Sequence, residues 1–143
     1  MERARRERIL ITSAEQFVRL RNSDVPAEYS LAAEDEAPVA VWLDVISRFP
    51  EMREWVAYNK TVPIEILAVL AHDESASVRL TVADKRKLTL ELFDLLAHDQ
   101  DELVRQRIAY NKKAPLQLLE RLSVDVSPLV RDAAMKHLGK RGS

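Results

Sequence analysis

A 26-residue period constrains this chain more than any other feature. Met52-Arg53, Val78-Arg79, Val104-Arg105 and Val130-Arg131 recur at that interval, so three units run from Met52 to Leu129 and a fourth begins before the C-terminus. Self-similarity at this length implies a stack in which each unit buries its apolar face against its neighbours. Val56, Val82 and Ile108 share one unit position, as do Leu67, Phe93 and Leu119, and Leu70, Leu96 and Leu122. Apolar spacings of three and four place one stripe on each of two short helices per unit. The first is expected at about 50–58 and the second at about 63–71, with both repeated 26 and 52 residues later.

Boundary residues agree with this division. Ser75, Asp101 and Ser127 share the position expected to N-cap the first helix. Pro50 and Pro128 fall one place later, where a missing N–H costs nothing, and Pro63 and Pro115 open the second helix in the same way. Asn59 and Asn111 sit where the first helix ends, a position at which Asn tolerates left-handed backbone. Lys85 takes that place in the middle unit, whose turn is expected to close differently.

Upstream, Ser13 to Gln16 has the form of a capping box and starts a helix through about Arg21. Further helices are expected over 26–35 and 38–48, with Leu43 and Ile46 standing for Leu67 and Leu70. Trp42 is expected to pack within this region. The organisation expected is a basic N-terminal segment at 1–12, a degenerate capping unit at 13–51, repeats at 52–138 and a tail at 139–143. The fold class is all-α: a right-handed solenoid of stacked helical hairpins.

Composition removes several chemistries. The chain has no cysteine, hence no disulfide, thiolate nucleophile or cysteine-held metal, which fits a cytoplasmic protein. Its only glycines, Gly139 and Gly142, lie near the end, so a glycine-rich phosphate cradle has no material. No apolar run approaches the roughly 18 residues of a membrane span, and the N-terminus lacks a secretory apolar stretch.

The string from Val56 to Asp73, followed by Val78-Arg79, resembles the leucine-rich repeat variant pattern of the HEAT-like α-solenoids. Asn59, Pro63, Leu67, Leu70, Ala71 and Asp73 match it, as do Asn111, Pro115, Leu119, Leu122 and Asp125; the middle unit has Lys85 for Asn and Thr89 for Pro. The resemblance implies an inter-repeat Asp–Arg ladder, with Asp73, Asp99 and Asp125 each six residues ahead of Arg79, Arg105 and Arg131, and Arg53 at the equivalent position. It also prompts two further thoughts. His72-Asp73 and His98-Asp99 resemble the paired His-acid dipeptides with which HEAT-like hydroxylases hold iron, but adjacent repeats stand about 10 Å apart, too far for one ion. DNA glycosylases of HEAT-like fold make nucleic-acid binding the alternative function.

Charge on the turns is the more informative signal. Turns within units carry Lys60, then Lys85, Arg86 and Lys87, then Lys112 and Lys113; turns between units carry Asp73, Glu74, Asp99, Asp101, Glu102 and Asp125. Helix dipoles account for part of this pattern. In a stack it places basic and acidic borders on opposite edges despite a formal net charge of −1. Trp55, Tyr58 and Tyr110 occupy unit positions that elsewhere hold Thr81, Arg107, Asp84 or Lys136, so they are expected at the surface as interface anchors, with a half-buried Trp55 as the alternative. The sequence thus points to a non-catalytic protein-binding module without a cofactor. Small solenoids of this kind include immunity proteins that occlude toxins. An acidic protein partner would be drawn to Trp55, Tyr58, Lys60, Lys85, Arg86, Lys87, Tyr110, Lys112 and Lys113.

Overall fold

A computed structural model describes residues 10–142. The basic segment read at 1–12 falls outside the described residues except for its last three positions. Among the described residues the chain is helical, without strands. The helices are α1 (Ala14–Arg21), α2 (Pro26–Glu34), α3 (Val39–Arg48), α4 (Arg53–Tyr58), α5 (Ile64–Leu70), α6 (Ala76–Ala83), α7 (Leu90–Ala97), α8 (Glu102–Tyr110), α9 (Leu116–Leu122) and α10 (Pro128–Gly142), with a 3-10 turn at Pro50–Met52. The chain divides into two compact units between Leu67 and Ala68. No helix among the described residues is long and apolar enough to cross a membrane.

The first unit is built around α1, which packs on α2 and α3, while α4 packs on both of the latter. Ser13 Oγ accepts the Gln16 amide at 3.0 Å, and Gln16 Oε1 accepts the Thr12 amide at 2.7 Å. The box therefore closes one residue earlier than the simple motif, on the residue before the cap. Phe17 and Trp42 are fully buried and meet edge-to-face at 5.2 Å. Burial of such rings contributes about 2–3 kcal/mol each. The expectation for Leu43 is corrected: it is exposed, and the buried positions of α3 are Trp42 and Val45. Trp42, one residue earlier, is the α3 side chain that meets Phe17.

The second unit repeats one arrangement. Helix α6 packs against α8 and α8 against α10, while α7 packs against α9. Val78, Val104 and Val130 are buried at one unit position, and Val82, Ile108 and Ala134 at another. The final helix extends through Gly142, and its Arg141 donates to the Lys112 carbonyl at 2.9 Å.

Polar side chains repeat as faithfully as apolar ones. Arg79 donates through Nε and Nη2 to both oxygens of Asp99 (2.8 and 3.2 Å), and through Nη1 to the Asp73 carbonyl at 2.7 Å. Arg105 does the same with Asp125 (both 3.0 Å) and the Asp99 carbonyl at 2.7 Å. Each arginine thus takes a carboxylate from the turn ahead of it and a main-chain carbonyl from the turn behind. The carboxylate bonds hold both guanidinium groups above their usual pKa.

Two boundary expectations change. Asp101 and Ser127 cap their helices through the amides of Leu103 and Leu129, but Ser75 makes no side-chain cap bond. Its amide donates to Asp73 Oδ2 at 3.0 Å, as the amides of Asp101 and Ser127 donate to Asp99 and Asp125. Asn59 and Asn111 do not adopt left-handed backbone, with φ of −55° and −64°. They are buried clamps. Asn111 Nδ2 donates to the carbonyls of Ala83 and Lys85, both at 2.8 Å, while Oδ1 accepts the Lys113 amide. Asn59 Nδ2 donates to Ala32 and Asp35 at 2.8 and 2.9 Å, and Oδ1 accepts the Thr61 amide. Carbonyls left open at a helix end are thereby satisfied from the following hairpin.

Candidate functional site

Two clefts, one in each unit, lie beside these clamps and bring together aromatic and charged side chains. The first has a volume of about 430 Å³ and is lined by Arg21, Tyr29, Ser30, Ala32, Ala33, Glu34, Trp55, Tyr58 and Lys60. It exists because α1, α2 and α4 converge while Asn59 pins the end of α4 to the end of α2. Trp55 is half-buried, the alternative that the sequence left open for it. The Arg21 guanidinium lies 3.5 Å from its ring centroid, and Tyr58 meets it edge-on at 5.8 Å. Tyr58 itself is 53% exposed, and Lys60 is exposed beside it.

The Arg21 environment has an unusual balance. Its Nε is buried without a hydrogen-bond acceptor, and among the described residues the group forms no ion pair. A cation stacked on an indole ring gains about 0.5–2 kcal/mol. That does not replace a counter-charge.

The second cleft, about 170 Å³, is lined by Asp84, Arg86, Arg107, Tyr110, Asn111 and Lys112. Arg107 occupies the unit position of Trp55 and donates to Asp84 at 2.7 Å. Tyr110, at the position of Tyr58, is 51% exposed. Lys87, Lys112 and Lys113 are exposed, as is Arg86, whereas Lys85 is half-buried. Burial pushes the Lys85 ammonium pKa down, partly opposed by the neighbouring Asp84. The basic residues read from the turns therefore divide: Lys85 supports the fold through its carbonyl, and the others face solvent.

Between the acidic turns of the second unit lies an open groove of about 510 Å³ that includes His72, Asp73, Glu74, His98 and Asp99. The His98-Asp99 dipeptide is committed elsewhere. Both Asp99 oxygens receive Arg79. His98 Nδ1 donates to the Asp94 carbonyl at 2.8 Å, and its Nε2 accepts from Arg121 at 3.3 Å. With the imidazole lone pair occupied and a guanidinium on the carboxylate, neither group is presented as a ligand. No cluster of three His, Asp or Glu side chains suited to a metal occurs among the described residues.

Arg21 was not distinguishable in the sequence. It lies in α1, outside the repeats, and only the fold brings it onto Trp55. No family model, curated protein sequence or solved structure matches this chain.

Proposed function

We propose that the 26-residue units form a right-handed α-solenoid of the leucine-rich-variant, HEAT-like kind, and that the protein is a non-catalytic binding module for another protein. The carrying observation is that Tyr58 and Tyr110, at one unit position in two units, are each about half exposed beside cationic turn residues. Exposed tyrosines next to cations supply rigid contact area and charge steering together. The ladder and clamp residues favour the same reading, since they are engaged in the fold and leave the turn residues to face a partner.

The partner's matching surface is acidic, and occlusion of that surface is the mechanism, as in an inhibitor or immunity protein acting in the cytoplasm. Nucleic acid is the weaker fit. The formal net charge is −1, so the chain has no excess of cations with which to neutralise a row of phosphates.

Affinity purification of the full chain from its native source, with mass spectrometry of what co-elutes after nuclease treatment, tests the reading. One protein should be retained stoichiometrically and lost with Tyr58→Ala/Tyr110→Ala while helical content is unchanged. Retention undiminished by that double change, or loss of the co-eluting species on nuclease treatment, contradicts it.

A further inference from the structure

We infer that the Arg21–Trp55 cleft is a pocket for a single carboxylate, supplied by an Asp or Glu side chain that a partner protein carries next to an apolar residue. This deepens the protein-binding reading and rests on it. Three observations lead there. The Arg21 guanidinium carbon lies 3.5 Å from the Trp55 ring centroid, a cation–π contact that holds the group over the indole. Its Nε is buried without an acceptor, so the group is already partly stripped of water and has no counter-charge among the described residues. A partly buried cation with no ion pair among the described residues gains from an arriving anion.

Charge and shape narrow the ligand. Arg21 and Lys60 bring two positive charges to the lining and Glu34 one negative charge, leaving one positive charge. That balance matches one carboxylate; a phosphate, with nearly two negative charges, is opposed by Glu34. The remaining walls are Tyr29 and Tyr58, both exposed, with Ala32 and Ala33. They offer ring and methyl surface to an apolar side chain flanking the acid. A volume of about 430 Å³ takes one acidic side chain and one such neighbour.

The test uses the full chain and two synthetic peptides, acetyl-Ala-Phe-Glu-Phe-Ala-amide and its Gln counterpart, followed by NMR of the Arg Nε–H and Trp Nε1–H signals. The Glu peptide should shift Arg21 and Trp55 saturably while leaving buried Trp42 still. Its affinity should exceed that of the Gln peptide at least tenfold and fall at least tenfold in Arg21→Gln. Arg21→Lys, which keeps the charge but loses the planar fork, should fall in between and report that the fold survives. Inorganic phosphate and a dodecamer of thymidine should each bind more weakly than the Glu peptide. Equal binding of the two peptides, indifference to Arg21→Gln, or tighter binding of the oligonucleotide overturns the assignment. If the captured partner is lost with Tyr58→Ala/Tyr110→Ala but binds Arg21→Gln as it binds wild type, the cleft assignment fails and the protein-binding reading stands. If no protein is captured yet the Glu peptide saturates the cleft as described, the pocket stands and the wider reading fails.

Discussion

Asp99 is bound from two directions: Arg79, twenty residues earlier, grips both its oxygens, and the Asp101 amide donates to Oδ1 at 2.9 Å. One carboxylate thus joins the end of one hairpin to the start of the next first helix. Both partners are nearly buried, at 9% and 8% exposure. Removing Asp99 leaves the Arg79 guanidinium without its counter-charge and the turn without its organiser. Asp99→Ala should destabilise the protein by about 3 kcal/mol, read as a lower urea midpoint at unchanged slope. A loss below about 0.5 kcal/mol, the level of an exposed pair, would contradict the ladder's structural role.

Asn111 tests the clamp against ordinary helix termination. A left-handed cap would tolerate Gly, whereas a clamp cannot lose its side chain. Asn111→Gly should therefore cost about 2 kcal/mol or more, because the Ala83 and Lys85 carbonyls lose their donor. Thermal melting of this variant decides between the two; a Tm equal to or above that of wild type would restore the cap.

Acid sensitivity should follow Asp125. Burial raises its pKa, but the hydrogen bonds from Arg105 and the Ser127 amide, with the charges of Arg105 and Arg131, outweigh it and hold the carboxyl below its ordinary value. A folded pKa below the unfolded one contributes stability above the ordinary carboxylate range and loses it as pH falls through the folded value. Urea midpoints measured from pH 7 down to pH 3 should decline for wild type, and the decline should be shallower in Asp125→Asn. Parallel declines would remove Asp125 from the acid limb.

Trp42 offers a check on the first unit. Its Nε1 is buried without an acceptor, so the ring contributes through packing on Phe17 rather than through hydrogen bonding. Trp42→Ala should cost about 3–5 kcal/mol, and Trp42→Phe much less, since it keeps the apolar contact and removes the orphan donor. Equal losses in chemical denaturation would contradict this division.

The helices were legible because the 26-residue period aligns equivalent apolar positions, and burial at Val78, Val104 and Val130 follows it directly. The Arg–Asp pairing was also anticipated, though its partner is the aspartate ahead and not the carboxylate behind. Side chains that serve a neighbouring hairpin were misread. Asn59 and Asn111 look locally like caps, and their role depends on carbonyls more than twenty residues away. Ser75 has a good capping side chain and the same aspartate-held turn as Asp101 and Ser127, yet makes no cap bond, and nothing in the structure explains the difference. In α3 the buried face includes Trp42 and not Leu43, a shift of one residue that periodicity alone does not register. Of the site, the exposed tyrosines were readable from the polar residues sharing their unit position. Arg21 was not, because nothing in α1 repeats.

The most direct test is equilibrium binding of the captured partner to wild type and to Tyr110→Ala/Lys112→Glu, with a melting curve for each. The account predicts at least a tenfold loss of affinity, stronger salt dependence in wild type than in the variant, and a Tm within a few degrees of wild type. Equal affinity at equal stability would contradict a protein-binding surface on the basic turns.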